Sequence, residues 1–318
     1  METNNQAGWS PTRLACGHEV VDPQQIHYCD YLSLNTLDKL NDPYAMHDRH
    51  RASIHPDESQ FVAVHQMCEL AFGHLIRELR RLILELHPDT LNIPKAILII
   101  NRLVKWMNLA THAIHPLHTM LPDDFKCFRD FLTPASGLES SNFRRIELLS
   151  GISPDRTFEM PFGPSRSHHV TYRQLLDRPI GSNDGQPRSR LWIEPEFDQL
   201  AARPTVSKCF SNLLMQEQTT ERELYTWFET YQDSKNRESP DTPQEERKLQ
   251  LKKLADALYQ YDQSMHTHRL EHIRIVQKQL DENTLVGTGG TSGIPYLKVI
   301  ADQSWFFPNL VRIKKSQT

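Results

Sequence analysis

Three histidines in the last third of the sequence have a spacing that suits metal or heme chemistry. They are His266, His268 and His272. Because His268 and His272 are four residues apart, they share one face of a helix and could chelate a single metal ion. Alternatively, one of them binds a heme iron axially while the other supports that ligand. Solvated histidines with no ligand are the third interpretation of this spacing.

A fourth histidine, His65, lies on the apolar stripe of a predicted helix. Phe61, Cys68 and Phe72 belong to the same stripe, at intervals of three and four residues. An imidazole there is either a hydrogen-bonded core histidine or a functional group in a dry pocket. Since helix stripes commonly tolerate one buried polar residue, the sequence alone favours the core histidine.

One arginine stands among aromatic residues, in the segment 125–132 with the sequence FKCFRDFL. This residue is Arg129. A partly buried guanidinium needs an anionic partner, and a substrate carboxylate accepts two parallel hydrogen bonds from it. The alternative is a structural ion pair with Asp123 or Asp130.

A glycine-rich segment follows the three histidines. Residues 287–293 contain four glycines and three hydroxyl residues, with the sequence GTGGTSG. Such a loop is flexible and rich in donors, and it suits a small polar group or a close approach to heme. It is not a phosphate-binding P-loop, because no lysine directly follows the glycines and no strand is predicted before it. By composition alone it could be a linker, but the ordered pattern that resumes at Tyr296 favours a site loop.

The elements that would position these residues are helices, because apolar residues recur every three or four positions and strand patterns are nearly absent. Proline signals mark the start of two of them and the end of others. The predicted helices cover residues 28–40, 57–86, 94–114 and 221–231, and a last long one has a buried face running from Leu251 to Gln279. The chain is therefore predicted to be all-α.

The predicted organisation is one large helical-bundle domain, residues 22–318, preceded by a flexible arm, residues 1–21. Residues 151–190 are rich in Pro, Gly, Ser and Asn and have little periodicity. They are interpreted as a long loop excursion with a short helix inside it, of the kind that often forms a lid or binding loop. Residues 233–244 are interpreted as a polar linker.

Composition argues against several classes of function. The formal charge of -4 gives no overall field that would attract nucleic acid or an anionic membrane. The 5 cysteines form no CxxC pair, which argues against a disulfide framework and fits a reducing compartment. The longest aliphatic run, residues 96–100, is too short to span a bilayer. The expected location is the cytoplasm, with no nucleic-acid or membrane partner.

Taken in order, these segments resemble the tryptophan 2,3-dioxygenase family. The resemblance covers about residues 28 to 300, and any one of its strings alone is weak. The strings are Tyr28-Cys29-Asp30-Tyr31-Leu32, His65-Gln66-Met67-Cys68-Glu69-Leu70, Phe128-Arg129-Asp130-Phe131-Leu132, Pro134-Ala135-Ser136-Gly137, Phe143-Arg144 with Glu147, His272, and Gly287 to Gly293 leading to Tyr296-Leu297.

The resemblance implies a heme b cofactor and a set of roles around it. His272 would be the proximal ligand of the iron, and His65 would hydrogen-bond the indole N–H on the opposite side. Arg129 would clamp the carboxylate of the substrate, and Ser136 would contribute to substrate binding. Thr288 would help a heme propionate to hold the substrate ammonium group.

The same resemblance implies a homotetramer. Phe61 and Phe125 would line the indole pocket, while Tyr28 and Tyr31 would reach in from a neighbouring subunit. The implied reaction adds dioxygen across C2–C3 of the indole ring of L-tryptophan, or of a close derivative, to give an N-formylkynurenine-type product. The heme carries the oxygen chemistry and the protein orients the substrate.

The chain departs from the family pattern at several supporting positions. Ala71 and Gly73 replace a usual Trp and Lys, and Leu138 and Glu139 replace a usual Phe and Gln. A tryptophan that typically precedes the proximal ligand by four residues is replaced by His268. Three alternatives follow: a heme monooxygenase of a modified tryptophan that gives an oxindole or hydroxylated product, a non-catalytic heme-binding sensor, and a histidine-based nonheme metal site.

Overall fold

Helices form nearly all of the secondary structure in the computed structural model of the protein. The residues that it describes are 28–40, 55–132, 137–162, 166–177, 195–234, 240–280 and 293–317. By its internal contacts the chain divides into two compact units, residues 1–63 and residues 64–318. The predicted arm, residues 1–21, lies outside the described residues.

The first unit contains two short helices, α1 (Tyr28–Tyr31) and α2 (Leu34–Leu40). The single helix predicted for residues 28–40 is therefore divided. The division falls at Ser33, whose φ of 52° is in the left-handed region that cannot continue a right-handed helix.

The next helix, α3 (Pro56–Glu85), begins in the first unit and ends in the second. Its first turn contains Pro56, Asp57 and Glu58, and the two carboxylates suit the positive end of the helix dipole. The predicted stripe is confirmed from Cys68 to Leu82, where the apolar side chains are buried.

Three further helices follow in the second unit: α4 (Ile93–Ala113), α5 (Pro122–Leu132) and α6 (Ser141–Ser150). The side chain of Asn92 caps α4 by accepting from the backbone N–H of Lys95, at 3.0 Å. Apolar spacing alone predicts a buried stripe of Ile97, Ile100, Val104 and Met107. The buried face of α4 includes Ile100 and Met107, but it has Ile99 and Leu103 in place of Ile97 and Val104. A run of aliphatic residues hides the true period of this helix, because several registers fit it equally well.

The predicted excursion contains a small sheet that sequence analysis missed. Strands β1 (Thr157–Phe162) and β2 (Arg166–Thr171) pair antiparallel, and the predicted short helix follows as α7 (Tyr172–Asp177). Phe158 and Met160 are buried while Glu159 between them is exposed, which is the alternation of a half-buried strand. With only two such apolar positions, the strand signal is too short to stand out in the sequence.

In the described residues the chain ends in six helices, of which the fourth is the longest. They are α8 (Pro195–Ala201), α9 (Val206–Gln216), α10 (Glu221–Ser234), α11 (Pro243–Gln279), α12 (Ile294–Gln303) and α13 (Pro308–Ser316). A capping box between Thr242 and Glu245 starts α11, so its first turn occupies the end of the predicted linker.

The core of the second unit forms where α11 packs along α4. Leu254, Leu258 and Met265 of α11 are fully buried, as are Ile100 and Met107 of α4. The predicted all-α fold class is confirmed, with the β1–β2 hairpin as an addition. Among the described helices, none is long and apolar enough to cross a membrane.

Candidate functional site

Two of the predicted site histidines are near enough to each other to interact electrostatically. His272 lies on α11 and His65 lies on α3, and both are partly buried. Burial, followed by the charge of the nearby His65, lowers the pKa of His272 to about 4. An imidazole with this pKa is neutral at physiological pH, so one of its nitrogens has a lone pair for a metal ion.

His268 lies one turn before His272 at a junction of four helices. Its ring packs edge-on to Phe72 of α3 with the centroids 5.8 Å apart, and it lies 6.0 Å from the ring of Phe143 of α6. Its Nδ1 lies 3.3 Å from the hydroxyl oxygen of Thr111 on α4. Burial lowers the pKa of His268 to about 3, and His272 contributes to that shift.

The carboxylate of Glu271, next to His272 in the sequence, is already engaged in hydrogen bonds. Glu271 accepts hydrogen bonds from Nε2 of His118 at 2.6 Å and from the guanidinium of Arg274 at 2.7 Å. The bond from His118 is the largest reason that the pKa of Glu271 is lowered. In the described ranges, no three His, Cys, Asp or Glu side chains form a group that could hold a metal ion.

The predicted carboxylate-binding arginine lies on α5, which contacts α11. Arg129 and Phe125 are both partly buried on this helix. Phe125 packs edge-on to the fully buried Phe128, with the ring centroids 5.4 Å apart. Asp123, one of the alternative partners considered for Arg129, forms an ion pair with Lys126 at 3.3 Å.

A buried ionic cluster fixes α11 and was not predicted from the sequence. Glu147 of α6, only 1% exposed, accepts from Arg144 at 2.8 Å and from Arg269 at 3.0 Å. The hydroxyl of Tyr172 also donates to it, at 2.7 Å. Burial, followed by the charge of Glu147, raises the pKa of Tyr172, which keeps the phenol protonated. The cluster joins α6, α7 and α11, and so orients the helix that presents His272.

A second buried carboxylate anchors the chain just after α12. Asp262 of α11 accepts from the backbone N–H groups of Phe306 and Phe307 at 2.9 and 2.8 Å. Burial nevertheless raises its pKa to about 6. Sequence reasoning missed this anchor, because nothing local to Asp262 indicates a partner 44 residues later.

The comparisons with known proteins agree with this arrangement. Residues 14–171 match the family model described as tryptophan 2,3-dioxygenase. A protein named tryptophan 2,3-dioxygenase from Bacillus thuringiensis subsp. konkukian (strain 97-27) is 25% identical over 299 residues, covering 92% of each chain. Proteins of the same name from Burkholderia orbicola (strain MC0-3) and Serratia proteamaculans (strain 568) are also 25% identical, over 98% and 92% of this chain and 88% and 93% of their own.

The chain is similar over most of its length to proteins named tryptophan 2,3-dioxygenase. The resemblance inferred from the sequence is thereby confirmed, and with it the expectation of an oxidoreductase enzyme. The similarity extends well beyond the segment that matches the family model, because the relatives align with almost the whole chain.

The remaining residues that the dioxygenase resemblance singled out are described only in part. Thr288 and Ser136 lie outside the described residues. Tyr28 and Tyr31 belong to α1 of the first unit, where they are 71% and 75% exposed. Phe61 lies on the part of α3 that belongs to the first unit and is partly buried. The structure therefore places His65 near enough to His272 to lower its pKa, and the functional roles of all these residues remain predictions.

Proposed function

We propose that the protein is a heme-dependent oxygenase that adds dioxygen across C2–C3 of the indole ring of L-tryptophan or a close derivative. The product is of the N-formylkynurenine type. The observation that carries the proposal is the electrostatic interaction of two partly buried histidines, His65 and His272, in a chain similar to tryptophan 2,3-dioxygenases.

A heme fits the donor set at this place. The porphyrin supplies four nitrogens, so the protein has to supply only an axial ligand. His272 has the chemistry for that role, since it is neutral and its burial favours a metal bond over protonation. When bound, ferrous heme with one histidine ligand supplies a site for dioxygen.

The side chains of this chain would bind and orient the substrate. Arg129 would hold the substrate carboxylate through two charged hydrogen bonds, and Phe125 would pack against the apolar indole. The imidazole of His65 would accept the indole N–H and fix the ring relative to His272. Thr288 and Ser136 would hold the polar end of the substrate.

We also propose a homotetramer whose sites are shared between subunits. Tyr28 and Tyr31 are large aromatic residues that expose most of their surface on α1. Such side chains gain from burial against a second protein surface. In the proposed assembly, they cover the substrate site of a neighbouring copy.

The proposed reaction is tested by the mass of the product. The reduced protein is supplied with L-tryptophan under labelled dioxygen, and two labelled oxygen atoms in one ring-opened product are expected. A product with one labelled atom supports instead a monooxygenase that gives an oxindole or hydroxylated indole. Heme binding with no turnover of any indole amino acid would indicate a sensor.

The monooxygenase has one structural observation in its favour. His268 places a second imidazole beside His272, where relatives typically have a tryptophan, so the surroundings of the proximal ligand differ. A changed ligand environment could stop the reaction after transfer of the first oxygen atom. Feeding ring-methylated and β-methylated tryptophans under labelled dioxygen tests this alternative.

The ligand assignment is tested separately by the heme absorption of two variants. His272→Ala is expected to lose the Soret band of the purified protein, whereas His268→Ala is expected to keep it. If His268→Ala loses the band and His272→Ala keeps it, the two histidines have been assigned the wrong way round.

A further inference from the structure

The hydrogen bond between His268 and Thr111 determines which nitrogen of His268 carries its proton. The hydroxyl of Thr111 donates to the backbone carbonyl of Met107 at 3.0 Å. A hydroxyl has a single proton, so its oxygen can only accept from Nδ1 of His268. His268 is therefore the tautomer with a proton on Nδ1, and its Nε2 has a free lone pair.

Within the described ranges, Thr111 is the hydrogen-bond partner of the His268 side chain, through Nδ1. The ring is only 7% exposed and has aromatic neighbours, Phe72 and Phe143, on two sides. In this tautomer the Nε2 lone pair can accept a hydrogen bond from a donor that arrives with the assembled site.

The nearest candidate donor is one helical turn away. His268 and His272 are four residues apart on α11, so their side chains are neighbours on one face. The nearby His272 also contributes to the lowered pKa of His268. A histidine that ligates a metal through one nitrogen keeps an N–H on the other. In metal sites that N–H is almost always donated to an acceptor.

The other acceptor close to this turn of α11 is already engaged. Glu271 precedes His272 directly, but its two oxygens accept from His118 and from Arg274. Among the described residues beside His272 on α11, this leaves the Nε2 lone pair of His268 as a candidate acceptor.

We propose that His268 is a positioning residue that accepts the N–H of the heme ligand His272, directly or through one bound water. The proposal rests on the proposed function, in that it requires His272 to bind the iron. Thr111 takes part by holding His268 in the tautomer that can accept. The consequence is a more basic proximal ligand, which favours ferric over ferrous heme.

The test compares heme proteins that differ only at this pair. His268→Phe keeps an aromatic ring against Phe72 and Phe143 but removes the acceptor. We expect the iron–histidine stretching frequency in the resonance Raman spectrum to fall and the ferric/ferrous midpoint potential to rise. Heme affinity should fall about 10- to 100-fold, as for loss of other groups that support metal ligands.

Two further variants separate the hydrogen bond from packing. His268→Gln provides a carboxamide oxygen as an acceptor and should keep the stretching frequency close to that of the unchanged protein. Thr111→Val removes the group that fixes the tautomer and should shift the frequency part of the way towards His268→Phe. His266→Phe is the matched control on the same helix, because His266 contacts Ala301 and Trp305 instead.

The outcomes distinguish this proposal from the proposed function. If His268→Phe binds heme through His272 with an unchanged frequency and potential, the proposal is overturned and the heme site is not. If the unchanged protein binds no heme, the proposed function fails and this proposal fails with it. If His268→Phe and His266→Phe shift the frequency equally, the effect is one of packing and the proposal is again overturned.

Discussion

His65 and His272 illustrate what a single residue in a sequence can and cannot reveal. The position of His65 on an apolar stripe favoured a core histidine, and only the family resemblance indicated a site. The structure shows His65 near enough to lower the pKa of His272. A relation between residues 65 and 272 depends on tertiary packing, which periodicity along one helix cannot encode.

Arg129 provides the first prediction. Replacing Arg129 by Lys keeps the charge but removes the planar fork that holds a carboxylate through two hydrogen bonds. We expect KM for L-tryptophan to rise about 10- to 100-fold, as for the loss of a hydrogen bond between charged groups. Steady-state kinetics measure this effect.

Tryptamine is the control substrate for Arg129→Lys, because it has the indole but no carboxylate. The substitution should leave turnover of tryptamine nearly unchanged. An equal loss with both substrates would mean that Arg129 supports the fold rather than the substrate.

The low pKa of His268 leads to a second prediction, about stability and pH. The imidazole stays neutral in the folded state down to about pH 3, whereas in the unfolded chain it takes up a proton below about pH 6.5. The contribution of His268 to stability is therefore complete above pH 6.5 and is lost as pH falls towards 3. The slope is about 1.4 kcal/mol per pH unit once the unfolded imidazole is fully charged.

Urea unfolding between pH 4.5 and 7.5 measures this slope. In His268→Phe the free energy of unfolding should fall less steeply on acidification, by up to about 1.4 kcal/mol per pH unit. His272 and Asp262 also titrate in this range, but both are present in the two proteins, so the difference in slope isolates His268. Parallel curves would contradict the prediction.

The helices differ in how much local sequence determined them. For α3, spacing and a proline signal predicted the bounds to within a few residues, and for α11 spacing predicted the end, because long amphipathic helices repeat one signal many times. The β1–β2 hairpin offered only two buried positions and was missed. The cluster around Glu147 was missed as well, since its partners come from three separate helices.

Two glycines in helical surroundings give opposite predictions. Gly151 ends α6 with a φ of 137°, and a Cβ there would lie 2.5 Å from the Cβ of Ser207 on α9. Gly151→Ala should therefore destabilise the protein by about 1–3 kcal/mol, as overpacking typically does.

Gly73 lies inside α3, and a Cβ added there would have open space around it. Gly73→Ala should stabilise the protein by about 0.5–1 kcal/mol.

Thermal unfolding of the two alanine variants measures the sign of each stability change. The substitution is the same, glycine to alanine, in both. A stabilised Gly151→Ala would mean that the close approach of α6 and α9 is absent. A destabilised Gly73→Ala would mean that another surface covers this position of α3.

For the protein as a whole, the sequence predicted the fold class. The abundance of helical periodicity was enough for an all-α assignment. The boundary between the two units falls at residue 63, within the continuous helix α3, where composition gives no signal. The periodicity of one chain likewise does not predict whether several copies assemble. The exposed aromatic residues of α1 are the feature that supports the proposed assembly.

The shared site of the proposed tetramer can be tested by mixing two inactive proteins. Tyr28→Ala/Tyr31→Ala should lose most activity because its sites lack the covering tyrosines, and His272→Gly should lose it because its sites lack the iron ligand. When the two are refolded or co-expressed together, some sites combine an intact His272 with intact tyrosines from a neighbour. Activity should then reappear in the fraction that elutes at four times the 37.0 kDa mass of the chain. If mixing restores nothing although mixed tetramers form, the tyrosines do not act across subunits, because every mixed assembly would contain the parts of a shared site.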